Sequence, residues 1–103
     1  MTDVIILLRA EYETDASGSQ KITIKNSEPI LCDIRSVGMR EKYQAMSINR
    51  NPEIVAVLSD YWDYNDEQYA LYDGQVYVII RTYRTGVCIE LTLERTHDLE
   101  GMI

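Results

Sequence analysis

The stretch "YALYDGQVYVIIRTYRTGVCIELTLE", Tyr69 to Glu94, decides the fold. Leu71 and Tyr72 end one strand, and Asp73-Gly74 follows at once. That dipeptide is among the strongest short hairpin signals, because a type I′ turn needs positive φ at both central residues. The return strand alternates Val76, Val78 and Ile80 with Tyr77, Ile79 and Arg81. Period two places the three aliphatic residues inward and the other three outward. Thr85-Gly86 makes a second turn. The last strand has the cleanest alternation, with Val87, Ile89, Leu91 and Leu93 inward and Cys88, Glu90, Thr92 and Glu94 outward.

The same period runs through the N-terminal half. In "DVIILLRAEYET", Val4, Ile6, Leu8 and Ala10 alternate with Ile5, Leu7, Arg9 and Glu11. The first half is apolar on both faces and the second on one, as in a strand that begins buried and ends at a sheet edge. "DASGS", Asp15 to Ser19, is a turn cluster, and "QKITIKN" returns antiparallel with Ile22 and Ile24 on one face. In "EPILCDIRSV", Pro29 fits only at the start because it has no N–H to donate. Ile30, Cys32 and Ile34 then share a face. "EIVAVLSDYW" is a further strand, with Val55 and Val57 opposite Ile54, Ala56 and Leu58.

One segment departs from period two. In "MREKYQAMSINRN", Met39, Tyr43 and Met46 recur at helical spacing, while Arg40, Glu41, Lys42 and Gln44 cover the rest. Ser36 is the candidate cap and Pro52 the stop. A helix this short is marginal alone, so it docks or stays mobile. The expected fold is mainly β: a small antiparallel β-barrel of six to seven short strands, with one short helix in an excursion over 38–52. A barrel is expected because it removes sheet edges in a chain too small to cover a second sheet. The domain spans 1–95, and 96–103 reads as a flexible C-terminal tail.

Composition bounds the function. With 103 residues, one domain is expected. Eight tyrosines and no phenylalanine suggest a wet-edged core or an exposed contact face, since a tyrosine hydroxyl seeks water or a partner. The net charge of −7, with no run of basic residues, argues against a nucleic-acid-binding surface. It suits a passage through which DNA slides without sticking. "VIILL" is too short to span a bilayer and lacks a basic flank, so no membrane segment or signal peptide is expected. Cys32 and Cys88 read as buried, reduced structural thiols of a protein made in the cytoplasm.

Catalytic constellations are not legible. His97, the sole histidine, lies in the tail. Asp63-x-Asn65-x-Glu67 begins like a calcium loop but has Gln68 where glycine is required and Gly74 where the bidentate glutamate belongs. No phosphate-cradling glycine loop and no partnered nucleophile is readable. The expectation is a non-enzyme with no cofactor and no metal. Trp62, between Tyr61 and Tyr64, reads either as packed on the barrel wall or as an interface anchor.

Taken in order, "IILLRAEYETDASGSQ", "ILCDIRSVGMREKYQA", "NPE" and "YDGQVYVIIRTYRTGVCIELTLE" resemble the head–tail adaptor, or head closure, proteins of long-tailed phages and prophages. The resemblance covers about residues 4–95. It implies a β-barrel subunit of a homo-oligomeric ring in the virion, made in the bacterial host; the small domain and the need for timed assembly suggest a monomer when free. Such rings sit between a portal or adaptor ring above and a tail terminator below. They close the channel after DNA packaging and receive the tail, with DNA only as channel cargo. The family carries no catalytic residues. In relatives a long excursion projects into the channel, and the matching stretch here is Gly38 to Pro52, which is more charged than a permanently docked helix.

Three surfaces follow as expectations. Met39, Arg40, Glu41, Lys42, Tyr43 and Gln44 face the channel or an adjoining ring. Tyr61, Trp62, Asp63 and Tyr64 meet a neighbour, as do the outward residues Tyr77 and Arg81. The alternatives are a tail-completion or tail-terminator subunit, or an oligonucleotide-binding β-barrel, which the lack of a basic aromatic groove disfavours.

Overall fold

Strand β1 (Asp3–Thr14) organises the sheet by changing partners along its length. The computed structural model describes residues 2–97. β1 lends Leu8–Thr14 to β2 (Gln20–Asn26), Asp3–Ile5 to β3 (Ile30–Ser36) and Ile6–Leu8 to β5 (Tyr69–Tyr72). Between them, β3 pairs with β4 (Ile54–Leu58), and β5 pairs with β6 (Gln75–Thr85). β7 (Cys88–Arg95) bridges β4 and β6. Every pairing is antiparallel, and the order β1-β3-β4-β7-β6-β5 returns to β1 as a closed circle of six strands. β2 stands outside the circle as one arm of a ribbon with the outer half of β1. The described residues are therefore mainly β, with seven strands in one sheet and one α-helix, α1 (Met39–Met46).

The circle closes around aliphatic side chains. Ile5, Leu7, Cys32, Ala56, Leu58, Ala70, Leu91 and Leu93 are fully buried and belong to one cluster. Ile30 and Ile34 pack against it beside Cys32, so the expected inner face of β3 holds. Each such large side chain stabilises the fold by about 1.5–3 kcal/mol. Burial pushes the Cys32 thiol up to about 11, with Asp3 and Asp33 adding to the effect. Cys88 is only half-buried, so the paired expectation of buried thiols holds for Cys32 alone.

The decisive hairpin forms as expected: Asp73 has φ 51° and Gly74 φ 75°. The return strand is different. Tyr77 is 7% exposed and lies in the core, with Ile79 packed against it, while Val76, Val78 and Ile80 are only half-buried. The expected faces of this half of β6 are thus exchanged, and Tyr77 is core rather than an outward contact. The reason is a register irregularity between Ile79 and Arg81. Ile79 stands opposite Leu93, Arg81 opposite Thr92 and Thr82 opposite Leu91. The extra residue reverses the alternation, so Arg81 points outward as expected while Tyr77 points in.

Three smaller expectations also change. Ser36 ends β3, and the N-cap position of α1 is Gly38, which supplies no side-chain cap. α1 stops at Met46, well before Pro52, which is instead fully buried in the connection. Val87 lies in the Thr85-Gly86 turn and is exposed. Of the expected tail, residues 98–103 lie outside those described, and the Thr96 N–H donates to the Val76 carbonyl at 3.1 Å.

Candidate functional site

The excursion between β3 and β4 lies back across the outer face of β7 and β6. Glu41 fixes it. The Thr92 hydroxyl donates to Glu41 Oε1 at 3.0 Å, and the Arg81 guanidinium stands 3.7 Å from the same oxygen. Further along, Glu94 accepts from the Asn51 N–H at 2.6 Å and from Arg50 at 3.2 Å. The Glu53 N–H donates to the Leu93 carbonyl at 2.9 Å. Under the helix runs a cleft of about 210 Å³, lined by Glu41, Gln44, Ala45, Pro52, Ile80 and Thr92 among others.

This docking inverts the usual amphipathic arrangement. Glu41 and Ala45 turn toward the sheet, whereas Met39, Tyr43 and Met46 face solvent, with Tyr43 65% exposed. No residue of α1 is buried. The six residues expected to form a contact surface therefore divide. Met39, Arg40, Lys42, Tyr43 and Gln44 are exposed, and Glu41 is the inward anchor. A docked helix ordinarily buries its apolar stripe, whereas this one leaves Met39, Tyr43 and Met46 exposed.

A second aromatic surface caps one end of the circle. Asp60 accepts from the Trp62 N–H at 2.9 Å and starts a short 3-10 turn over Tyr61–Asp63. Tyr61 is half-buried against the core, its ring 4.9 Å from that of Trp62 between centroids. The Arg84 guanidinium lies 3.4 Å over the Tyr61 ring, a contact worth about 0.5–1 kcal/mol at an exposed site. The Tyr61 N–H donates to the Val87 carbonyl at 2.8 Å, tying this turn to the β6–β7 hairpin. Trp62 is 72% exposed and Asp63 is exposed, so the wall-packed reading of Trp62 is overturned. Tyr64 packs against the core, and burial raises its pKa, with Asp66 and Glu67 adding to the effect. Glu67 is itself buried and accepts from the Asn65 N–H at 2.9 Å, which spends its carboxylate inside the loop. Among the described residues, no group of three or more His, Cys, Asp or Glu side chains is placed to hold a metal ion.

The third surface escaped the sequence reading. The β1–β2 ribbon carries Tyr12 directly opposite Ile22, and both are exposed. Behind them, Gln68 brackets Ala10: its Oε1 accepts from the Ala10 N–H at 3.1 Å, and its Nε2 donates to the Ala10 carbonyl at 3.4 Å. Arg9 donates to the Asn65 carbonyl and fixes the same root. The alternation of Tyr12 with Glu11 and Glu13 was visible in the sequence. What it lacks is any sign that Tyr12 stays exposed among the described residues.

No protein-family model matches this sequence, and no curated protein matches it. No helix among the described residues is long and apolar enough to cross a membrane.

Proposed function

We propose that this chain is a structural virion protein: a head closure subunit at the head–tail junction, its six-stranded circle acting as a small β-barrel. Copies would stand side by side in a ring beneath the portal or adaptor. The ring would close the channel on packaged DNA and present a docking surface to the tail. The observation that carries the reading is the inverted excursion. A segment at the position expected from the family resemblance turns its apolar stripe away from its own fold, as a subunit awaiting neighbours would. The acidic composition supports DNA as passing cargo rather than ligand. The exposed Trp62 supports a contact role for the 61–64 turn. Enzymatic activity has no place in this reading.

The test uses particles assembled without this chain. They should lose packaged DNA and lack tails, and adding the purified chain to DNA-filled, tailless heads should restore both. Tailed, infectious particles formed in its absence would overturn the proposal. Binding of the purified chain to free tails rather than filled heads would assign it instead as a tail-completion or terminator subunit.

A further inference from the structure

Two unlike apolar surfaces of this chain stand on opposite sides of the strand circle. α1 lies over β7, held by Thr92 and followed by contacts to Leu93 and Glu94. The Tyr12–Ile22 ribbon grows from β1. In the order β1-β3-β4-β7-β6-β5, β7 is three strands from β1 in either direction, so the two surfaces are diametrically opposed. Two different patches on opposite sides suit a head-to-tail contact, in which every copy gives one surface and receives the other. A two-fold contact would need one self-complementary patch.

Charge favours the same pairing. In a chain of net charge −7, the segment 39–51 has three cations, Arg40, Lys42 and Arg50, against the single carboxylate of Glu41, and of the three Arg50 is paired with Glu94. Glu41 is turned inward, leaving Arg40 and Lys42 beside the exposed Met39, Tyr43 and Met46. The ribbon's far end carries Glu13 and Asp15 against one lysine, Lys21. Asp15 accepts hydrogen bonds from the Ser17 hydroxyl and the Ser19 N–H, and these hold its carboxyl below the usual range. The tip thus keeps its negative charge in mildly acidic solution. Like-charged faces, such as two copies of α1, would repel.

We infer that the α1 face of one copy, Met39, Tyr43 and Met46, receives the Tyr12–Ile22 ribbon of a second copy. The inference deepens the ring reading above and takes from it only that copies meet side by side. The contact is small and is expected to be weak in the free protein, where it would populate only at high concentration.

The purified chain is followed by sedimentation at concentrations on the order of 1 mM, where weak contacts populate. Wild type should show an average mass that rises with concentration. Tyr43→Asp and Tyr12→Asp, both at exposed positions, should each weaken association by about tenfold or more, while each melts as wild type does. Mixed in equal amounts, the two variants should recover a dimer and nothing larger, because each retains the surface the other lacks. Wild type that stays at monomer mass would overturn the inference. So would either variant associating as well as wild type, or a mixture without a heterodimer. Because no virion component takes part, failure here leaves the head closure proposal standing, and failure in the particle assay leaves this contact standing.

Discussion

The interior of the strand circle and the excursion laid across its outside are built on opposite terms. Inside, Ile5, Leu7, Leu58, Leu91 and Leu93 are fully buried, and their burial is non-directional and large in sum. Outside, α1 buries none of its residues and is held by Glu41. The circle is a structure that few single polar losses can open. The excursion rests on a handful of polar contacts, and segments with few buried apolar contacts open locally at low free energy. One chain thus combines a fixed frame with a segment whose attachment is adjustable.

The strongest way to break this comparison is at β6. Tyr77→Ala should cost about 3 kcal/mol or more in denaturant unfolding, whereas Val78→Ala should cost under about 1.5 kcal/mol. Equal losses would mean that Tyr77 is not a core residue. A smaller effect sharpens the outer side. Glu41→Ala strips the partner from the buried Thr92 hydroxyl, which should cost about 1–2 kcal/mol and speed amide exchange over 39–46 without changing exchange in the β-strands. Combining it with Thr92→Val should recover the stability but not the protection of 39–46, because no unpaired hydroxyl then remains. Recovery of both would show that Glu41 is not the anchor.

The smallest effect is one of pH. The Tyr72 hydroxyl donates to Asp3 at 3.1 Å, and this hydrogen bond, chiefly, raises the Tyr72 pKa. A group with a raised folded pKa binds its proton more tightly in the native state. Its contribution is therefore complete below the unfolded value near 10 and is lost as pH rises through the folded value. Tyr72→Phe should be less stable than wild type at pH 8, and the difference should shrink above pH 10. A difference that stays constant across that range would exclude the Asp3 bond as its source.

Much of the frame was legible. Asp73-Gly74 announced its turn, because few other dipeptides accept two positive φ values. Ile89, Leu91 and Leu93 announced an inner face, because alternation survives along an unbroken strand. Tyr77 departs from the period-two expectation because that period runs unbroken through Ile80 in the sequence, and nothing in "VYVIIRT" signals an extra residue. Glu41 looks in sequence like its outward helix neighbours Arg40 and Lys42. Its partner Thr92 is far away in sequence, and helical periodicity ranks faces by hydropathy rather than by the hydrogen bond one carboxylate can make. Closure of β5 on β1 is likewise a property of the whole sheet and is written in no single segment.

The shift at Ile80 has a consequence for scale. It turns Tyr77 and Ile79 of the first half of β6 into the interior, while Arg84, in the second half, lies exposed over the Tyr61 ring. Even eight strands enclose only enough room for their own side chains, and six enclose less. Nothing as wide as a nucleic acid can thread a single copy. If these chains guard a duct, its bore belongs to the company of subunits, and its width is set by how many stand around it.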